Sequence, residues 1–242
     1  MPRMIAESSA PPRPGWKRPL AIALGTTACV TALSYLLPES FAATGVGLAF
    51  LTITYVLSLR TDDTERIRRA GLSFGGLLEP APIEPKRVLR ETLGAVSWAL
   101  GVSLLIFPPF WLGFVTWWNV RAPFSPAPPP SFGDEVLGQL LVFALPEEAF
   151  YRGYLQSTLD ASWRPRWKIL GAEVGPALFV TSALFAAGHF LTEMHPNRLA
   201  VFFPSLLFGW LRARSGGVGA PIVLHALCNL FAAYLARSYG LV

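Results

Sequence analysis

Apolar runs dominate the chain and are cut at intervals by short polar or basic connections. A hydrocarbon core about 30 Å thick takes roughly 20 apolar residues per helix. Runs of that order occur at Leu20–Leu37, Phe41–Leu59, Leu93–Val120, Val136–Leu155, Ile169–Leu191, Leu199–Leu211 and Val218–Ala236. The third is long enough to tilt or to kink at Pro108–Pro109. The sixth is short and holds Pro204, so it is expected to lie in a pocket and not to span fully. The pattern predicts an all-α, polytopic transmembrane helix bundle of six to eight helices, with seven as the best count. Ala122–Pro130 (APFSPAPPP) reads as a stiff extended loop. Arg60–Glu91 is the largest polar segment, expected to form a surface loop with a short amphipathic helix around Glu65–Leu72. The organisation expected is an N-terminal tail at 1–19, then transmembrane helices over 20–135. These carry a basic loop at 60–91 and a Pro-rich outer loop at 121–135, and a helical core follows at 136–242.

Composition agrees with this pattern. The 242 residues are 52% hydrophobic and 14% charged, with mean hydropathy +0.45. Soluble domains carry about 25% charged residues, so a soluble enzyme and a disordered chain are both poor fits. The net charge of +5 does not point to nucleic acid, because the bases flank apolar runs. Sixteen of the 20 Lys and Arg fall in alternate connections, at Arg3, Arg13, Lys17 and Arg18; Arg60, Arg66, Arg68, Arg69, Lys86, Arg87 and Arg90; Arg164, Arg166 and Lys168; Arg212 and Arg214. The other connections hold only Arg121, Arg198 and Arg237, and Arg152 lies inside an apolar run. This asymmetry assigns the N-terminus to the cytoplasm. The first run is longer than a signal-peptide core and no A-x-A site follows, so it is read as an uncleaved first span. Cys29 and Cys228 lie within apolar runs and are read as packing residues, with no disulfide or metal motif.

Ionisable side chains at membrane depth are costly and usually line a pathway or a site. The last four runs contain Glu147, Glu148, Arg152, Glu173, His189 and His225, with Asn229 as an uncharged companion. Glu173 lies near a span end and can reach the interface, so it is set aside. The others form three motifs of four-residue spacing: Glu148 to Arg152, Phe185 to His189, and His225 to Asn229. Residues i and i+4 share a helix face, so Glu148 can pair with Arg152. Glu147 points about 100° away and has no partner in its own helix. Desolvation and the neighbouring carboxylate should raise its proton affinity, as suits a general base. The plainer reading of Glu148–Arg152 is a buried pair that clamps two helices. His225 and Asn229 offer two adjacent donors, suited to an oxyanion in a dry site. A lone membrane histidine is often only a helix–helix hydrogen bond, and His195, in an outer loop, is read as structural or solvated.

The motifs EEAFYR, FAAGH and HALCN, in this order on successive apolar helices, resemble the pattern of the CPBP family of glutamic intramembrane endopeptidases. That family includes the type II CAAX prenyl proteases and bacteriocin self-immunity proteins. The resemblance covers roughly 136–236, whereas the first 135 residues match only as generic spans. It implies that Glu147, with His189, activates a water for attack on a peptide carbonyl. Glu148 and Arg152 would support the site electrostatically, and His225 and Asn229 would form the oxyanion hole. No cofactor is implied. The implied substrate is a membrane-anchored or lipidated protein cut near its C-terminus. The stretch LPEEAFYRGYLQ also resembles myxosortase-like enzymes, which implies a C-terminal sorting tag as a further substrate type. The modest length and the 17 Arg against 3 Lys suit a bacterial inner-membrane protein.

Three alternatives stand beside this reading. Glu147, Glu148, His189 and His225 could supply a His₂Glu zinc site. A non-catalytic immunity or scaffold protein could keep the motifs. A proton-coupled transporter also uses buried Glu and His. At the sequence level the depths of the motifs agree poorly: Glu147–Arg152 falls in the cytoplasmic half of its run, His189 near the outer end, and His225 a third of the way along.

Overall fold

The computed structural model describes residues 14–242, so Arg3 and Arg13 of the N-terminal tail lie outside the described residues. Among these, the chain is an all-α bundle with one small hairpin. Helix α1 is Lys17–Leu36, α2 is Glu39–Leu59, α3 is the short Thr64–Ala70, and α4 is Pro85–Trp117. Helical turns then run unbroken over 132–163 as α5. Strands β1 (Trp167–Ile169) and β2 (Ala172–Val174) pair antiparallel, and α6 (Pro176–Thr192), α7 (Phe202–Ser215) and α8 (Gly219–Ser238) close the bundle. Seven long helices and one short one fall within the expected range. Four of them are long and apolar enough to cross a membrane by length and composition: α1, α2, α4 and α8. Their outer faces carry bare apolar side chains, as at Leu104 and Leu105, 77% and 76% exposed. Such faces suit lipid and not water. The protein is an integral membrane protein.

Several boundaries differ from the sequence reading, each for a local reason. The fifth run starts at Pro176 and not Ile169, because Lys168, pairing with Glu173 across a turn at Leu170 and Gly171, makes a hairpin there. Both turn residues have positive φ, 47° and 80°, the geometry of a tight hairpin. Glu173 is thereby exposed on β2, clear of the bundle interior. Helix α4 starts eight residues before Leu93, with Pro85 in its first turn, and passes through Pro108–Pro109 without ending. At 33 residues it is about 50 Å long, so its first turns stand clear of the hydrocarbon. The Pro-rich loop gives way to helix at Phe132, before the expected limit of 135. Pro204 lies in the first turn of α7, where its missing N–H costs nothing. Helix α3 is capped by the Asp63 carboxylate accepting from Arg66 N at 3.1 Å and closed by Gly71 at φ 70°. Cys29 is exposed, which corrects its reading as a packing residue, while Cys228 is partly buried.

The two ends of the bundle differ in charge. At one end, Arg212 donates to Arg69 O at 2.7 Å and to Ser157 Oγ at 3.2 Å, Arg66 donates to Leu57 O at 2.6 Å, and the Arg214 guanidinium lies over Trp98. The basic connections thus meet in one place. At the other end, Ser125 N donates to Ser238 O and Arg237 pairs with Glu135 at 3.1 Å.

A loop inserted at the basic end sets the height of α8. Leu72 is 1% exposed and packs on Gly153 of α5, where an added Cβ would meet it at 2.8 Å. Gly71 O accepts from Val218 N at 2.9 Å, so α8 starts level with Gly153 and not at the bundle end. His225, seven residues up α8, then reaches Glu148, five residues up α5. Helix α5 also extends past Leu155 to residue 163, which puts its glutamates near mid-length. These two shifts bring the three motifs to one depth and correct the mismatch expected from the runs.

Candidate active site

Helix α5 is not a regular α-helix around its glutamates. Wide i→i+5 turns over Gly138–Ala144 and Ala149–Gln156 bracket the segment Leu145–Glu148. Pro146 has no N–H to bond Val142 O and clashes with a regular turn, and π-type turns often mark functional sites in helices. Val142 O lies where a Cβ on Gly47 would meet it at 2.7 Å, so the glycine lets α2 approach α5 beside Glu147.

Glu148 and Arg152 are both 0% exposed, and Arg152 Nε lies 3.1 Å from Glu148 Oε2. The other oxygen, Oε1, accepts from His225 Nδ1 at 3.0 Å. Arg152 also donates to Ser205 Oγ at 2.8 Å and Ser205 O at 3.2 Å, and its guanidinium stacks 5.3 Å from the Phe185 ring centre. Removing one partner from such a buried pair leaves an uncompensated charge, which costs about 3–5 kcal/mol.

Glu147 faces the opposite edge of the same histidine. Its Oε2 lies 3.9 Å from His225 Nε2 and 4.0 Å from His189 Nε2. Both separations exceed a direct hydrogen bond and match the span of one bridging water. His189 Nδ1 lies 3.0 Å from Phe185 O. A carbonyl only accepts, so Nδ1 carries the proton and Nε2 of the neutral ring offers a lone pair towards Glu147. Phe185 packs on His189 with ring centres 4.4 Å apart, and Phe208 stacks on His225 at 4.8 Å and 15°. Both imidazoles are held in orientation.

Five of the six residues singled out from sequence therefore meet in one cluster: Glu147, Glu148, Arg152, His189 and His225. Asn229 stands one turn beyond His225 and donates through Nδ2 to Gln139 Oε1 at 2.8 Å; the second N–H of that amide is not used by this bond. Gln139, Ser205 and Phe208 were not singled out from the sequence, and Ser205 and Phe208 carry no signal there. Gln139 lies eight residues, about two turns, before Glu147, and that spacing was the one available hint. His195 accepts from Asn197 N at 3.3 Å and caps a turn, as its structural reading expected. Among the described residues, no group of three or more His, Cys, Asp and Glu is arranged to hold a metal ion.

A cleft of about 230 Å³ reaches Glu147 and His189 between α1, α2, α5 and α6. Val30, Val46 and Phe50 wall it, and Thr192 and Arg198 lie at its end away from the basic connections.

No curated protein and no solved structure matches the chain. Residues 133–231 match the family model described as Type II CAAX prenyl endopeptidase Rce1-like. That segment spans all three motifs and every residue of the cluster. Over residues 133–231 the chain is therefore similar to the Rce1-like type II CAAX prenyl endopeptidases.

Proposed function

We propose that the protein is a glutamic-type intramembrane endopeptidase that needs no metal or other cofactor. It hydrolyses a peptide bond near the C-terminus of a membrane-anchored or lipidated protein. The observation that carries this reading is the position of Glu147 Oε2, about equally far from Nε2 of His189 and Nε2 of His225. A water placed there gives one hydrogen bond to the carboxylate and one to the His189 lone pair, which turns its own lone pair towards a substrate carbonyl.

As the water oxygen bonds to the carbonyl carbon, its proton passes to Glu147 and the carbonyl electrons move to oxygen. His225 carries Nδ1–H towards Glu148, so it donates through Nε2 when it is an imidazolium. Glu148 is the counter-charge for that state and Arg152 is the counter-charge for Glu148. His225 Nε2–H and the second N–H of Asn229 receive the oxyanion. Collapse of the intermediate restores the carbonyl and breaks the C–N bond, and Glu147 returns its proton to the leaving amine. The second water proton passes from the new carboxyl group to that amine, so a carboxylate and an ammonium depart.

The cleft runs from Glu147 towards the end of the bundle poor in bases. With the N-terminus and the basic end in the cytoplasm of a bacterial inner membrane, this supports a substrate presented from outside, such as the C-terminal sorting tag of an exported protein. Comparative C-terminal proteomics of membranes with the native protein and with Glu147→Ala tests this. Polypeptides longer at the C-terminus in the variant are expected and identify the cleavage site. Identical C-termini in the two membranes would return the protein to the immunity or scaffold reading. Purified protein that keeps its cleavage rate after chelation supports the metal-free mechanism, whereas loss of rate with zinc-dependent recovery assigns the same residues to zinc.

A further inference from the structure

Away from the glutamates, a cavity of about 830 Å³ opens at the basic end between α1, α3, α5 and α7. Four guanidiniums line it: Arg18 of α1, Arg66 and Arg69 of α3, and Arg212 of α7. The single carboxylate in its wall is Asp160. Internal pairing consumes little of this charge. Arg66 donates to the neutral carbonyl of Leu57, Arg69 lies 3.9 Å from Asp63, and Arg212 bonds Arg69 O and Ser157 Oγ. Arg18 has no ion-pair partner among the described residues. A cluster of like charges in a partly enclosed site repels itself, and an anion between the guanidiniums relieves that repulsion.

The cavity does not end in polar surface. Ile22 and Leu57 line it and also line a second, apolar groove of about 370 Å³ between α1 and α2. Gly25, Cys29, Ile53 and Val56 continue that groove along the bundle. Gly25 leaves open space where a side chain would lie, and Cys29 is exposed along the same edge. An anionic head site therefore joins an apolar channel parallel to two membrane helices. The combination has the shape and polarity of one amphiphile.

We propose that this paired cavity and groove bind an anionic phospholipid, with the phosphate among Arg18, Arg66, Arg69 and Arg212 and an acyl chain along Ile53 and Val56. Basic pockets at the cytoplasmic ends of membrane helices select anionic headgroups, at about 1 kcal/mol per cation near the surface. Removing three of the cations then weakens binding on the order of a hundred-fold. The site shares no residue with the glutamate–histidine cluster, so it stands whether or not the chain cleaves peptides.

Native mass spectrometry of the full protein, released from nanodiscs of mixed phosphatidylglycerol and phosphatidylcholine, tests this. The native chain is expected to retain phosphatidylglycerol at one site, and Arg18→Gln/Arg66→Gln/Arg69→Gln is expected to lose it. The corresponding three Lys substitutions should recover most of it. Ile53→Trp, which fills the groove and leaves the bases intact, separates chain from head. It should weaken phosphatidylglycerol while leaving competition by inorganic phosphate unchanged. Equal retention of the two lipids by the native chain overturns the proposal. So does glycerol phosphate that binds as tightly as the whole lipid, since the site would then take a free anion. Melting of each variant in neutral detergent identifies any that is misfolded, and the groove variant then decides for the charge variant.

Discussion

Glu79 and Glu148 are both held by guanidiniums, and they differ in what they leave unused. Glu79, in the loop after α3, accepts from Arg68 Nε and Nη2 at 2.8 and 2.7 Å, from Arg87 Nη1 and Nη2 at 3.0 and 2.7 Å, and from Ser73 Oγ. Every lone-pair direction is occupied. The Arg68 and Arg87 guanidiniums hold its carboxyl well below the usual range, and the network clasps the loop that sets the height of α8. Glu148 accepts one hydrogen bond, from His225 at Oε1, while its Oε2 meets Arg152 as an ion pair, and the far nitrogen of that histidine remains turned towards Glu147. Glu147 itself has no partner at hydrogen-bond distance. A saturated carboxylate is a clamp, while an unsaturated one beside oriented donors has capacity for a reacting molecule.

The sharpest way to break this comparison is Glu147→Gln. It keeps the shape and removes the base, so the cleavage rate should fall about 10²–10⁴-fold with melting unchanged. A rate within a few-fold of native would remove Glu147 from the chemistry. Arg152→Met should strand the Glu148 charge and destabilise the fold by about 3–5 kcal/mol, measured by denaturation in detergent. A stable Arg152→Met protein would mean that the buried pair is not ionised. Asn229→Ala should lower kcat about 10²-fold with KM little changed, as for loss of one oxyanion donor. Gln139→Ala should give a smaller loss through the orientation of Asn229, and equal losses would show that the two amides act only as a pair.

The smallest effect concerns Glu79. Because its folded carboxyl is held below the ordinary value near 4, the stability it contributes is complete above that range. That stability is lost as pH falls towards the lowered value. The melting temperature should drop by about a few degrees between pH 6 and pH 3, and Glu79→Gln should flatten that slope and leave the slope due to other carboxylates. An unchanged slope would mean that Glu79 is not paired in solution.

Much of the bundle was legible because membrane helices announce themselves by apolar length and connections by charge. The seven long helices, the gathering of Arg66, Arg69 and Arg212 at one end, and the Glu148–Arg152 pair follow from spacing alone. The hairpin at Lys168–Glu173 was hidden inside an apolar run, because Trp167, Ile169, Ala172 and Val174 suit a strand as well as a helix. The wide turns of α5 were equally hidden, since period reading assumes 3.6 residues per turn throughout. Ser205 and Gln139 are ordinary polar residues in sequence and gain meaning only through Arg152 and Asn229.

The sequence by itself determined which side chains the bilayer would tolerate only as a site, and which face of its own helix each occupies. The tertiary structure alone decided their common depth. Periodicity fixes direction about a helix axis and says nothing of height along it. Here height depends on a loop: Leu72 packs against Gly153 and Gly71 O accepts from Val218 N at the start of α8, so that one imidazole, His225, lies between two glutamates.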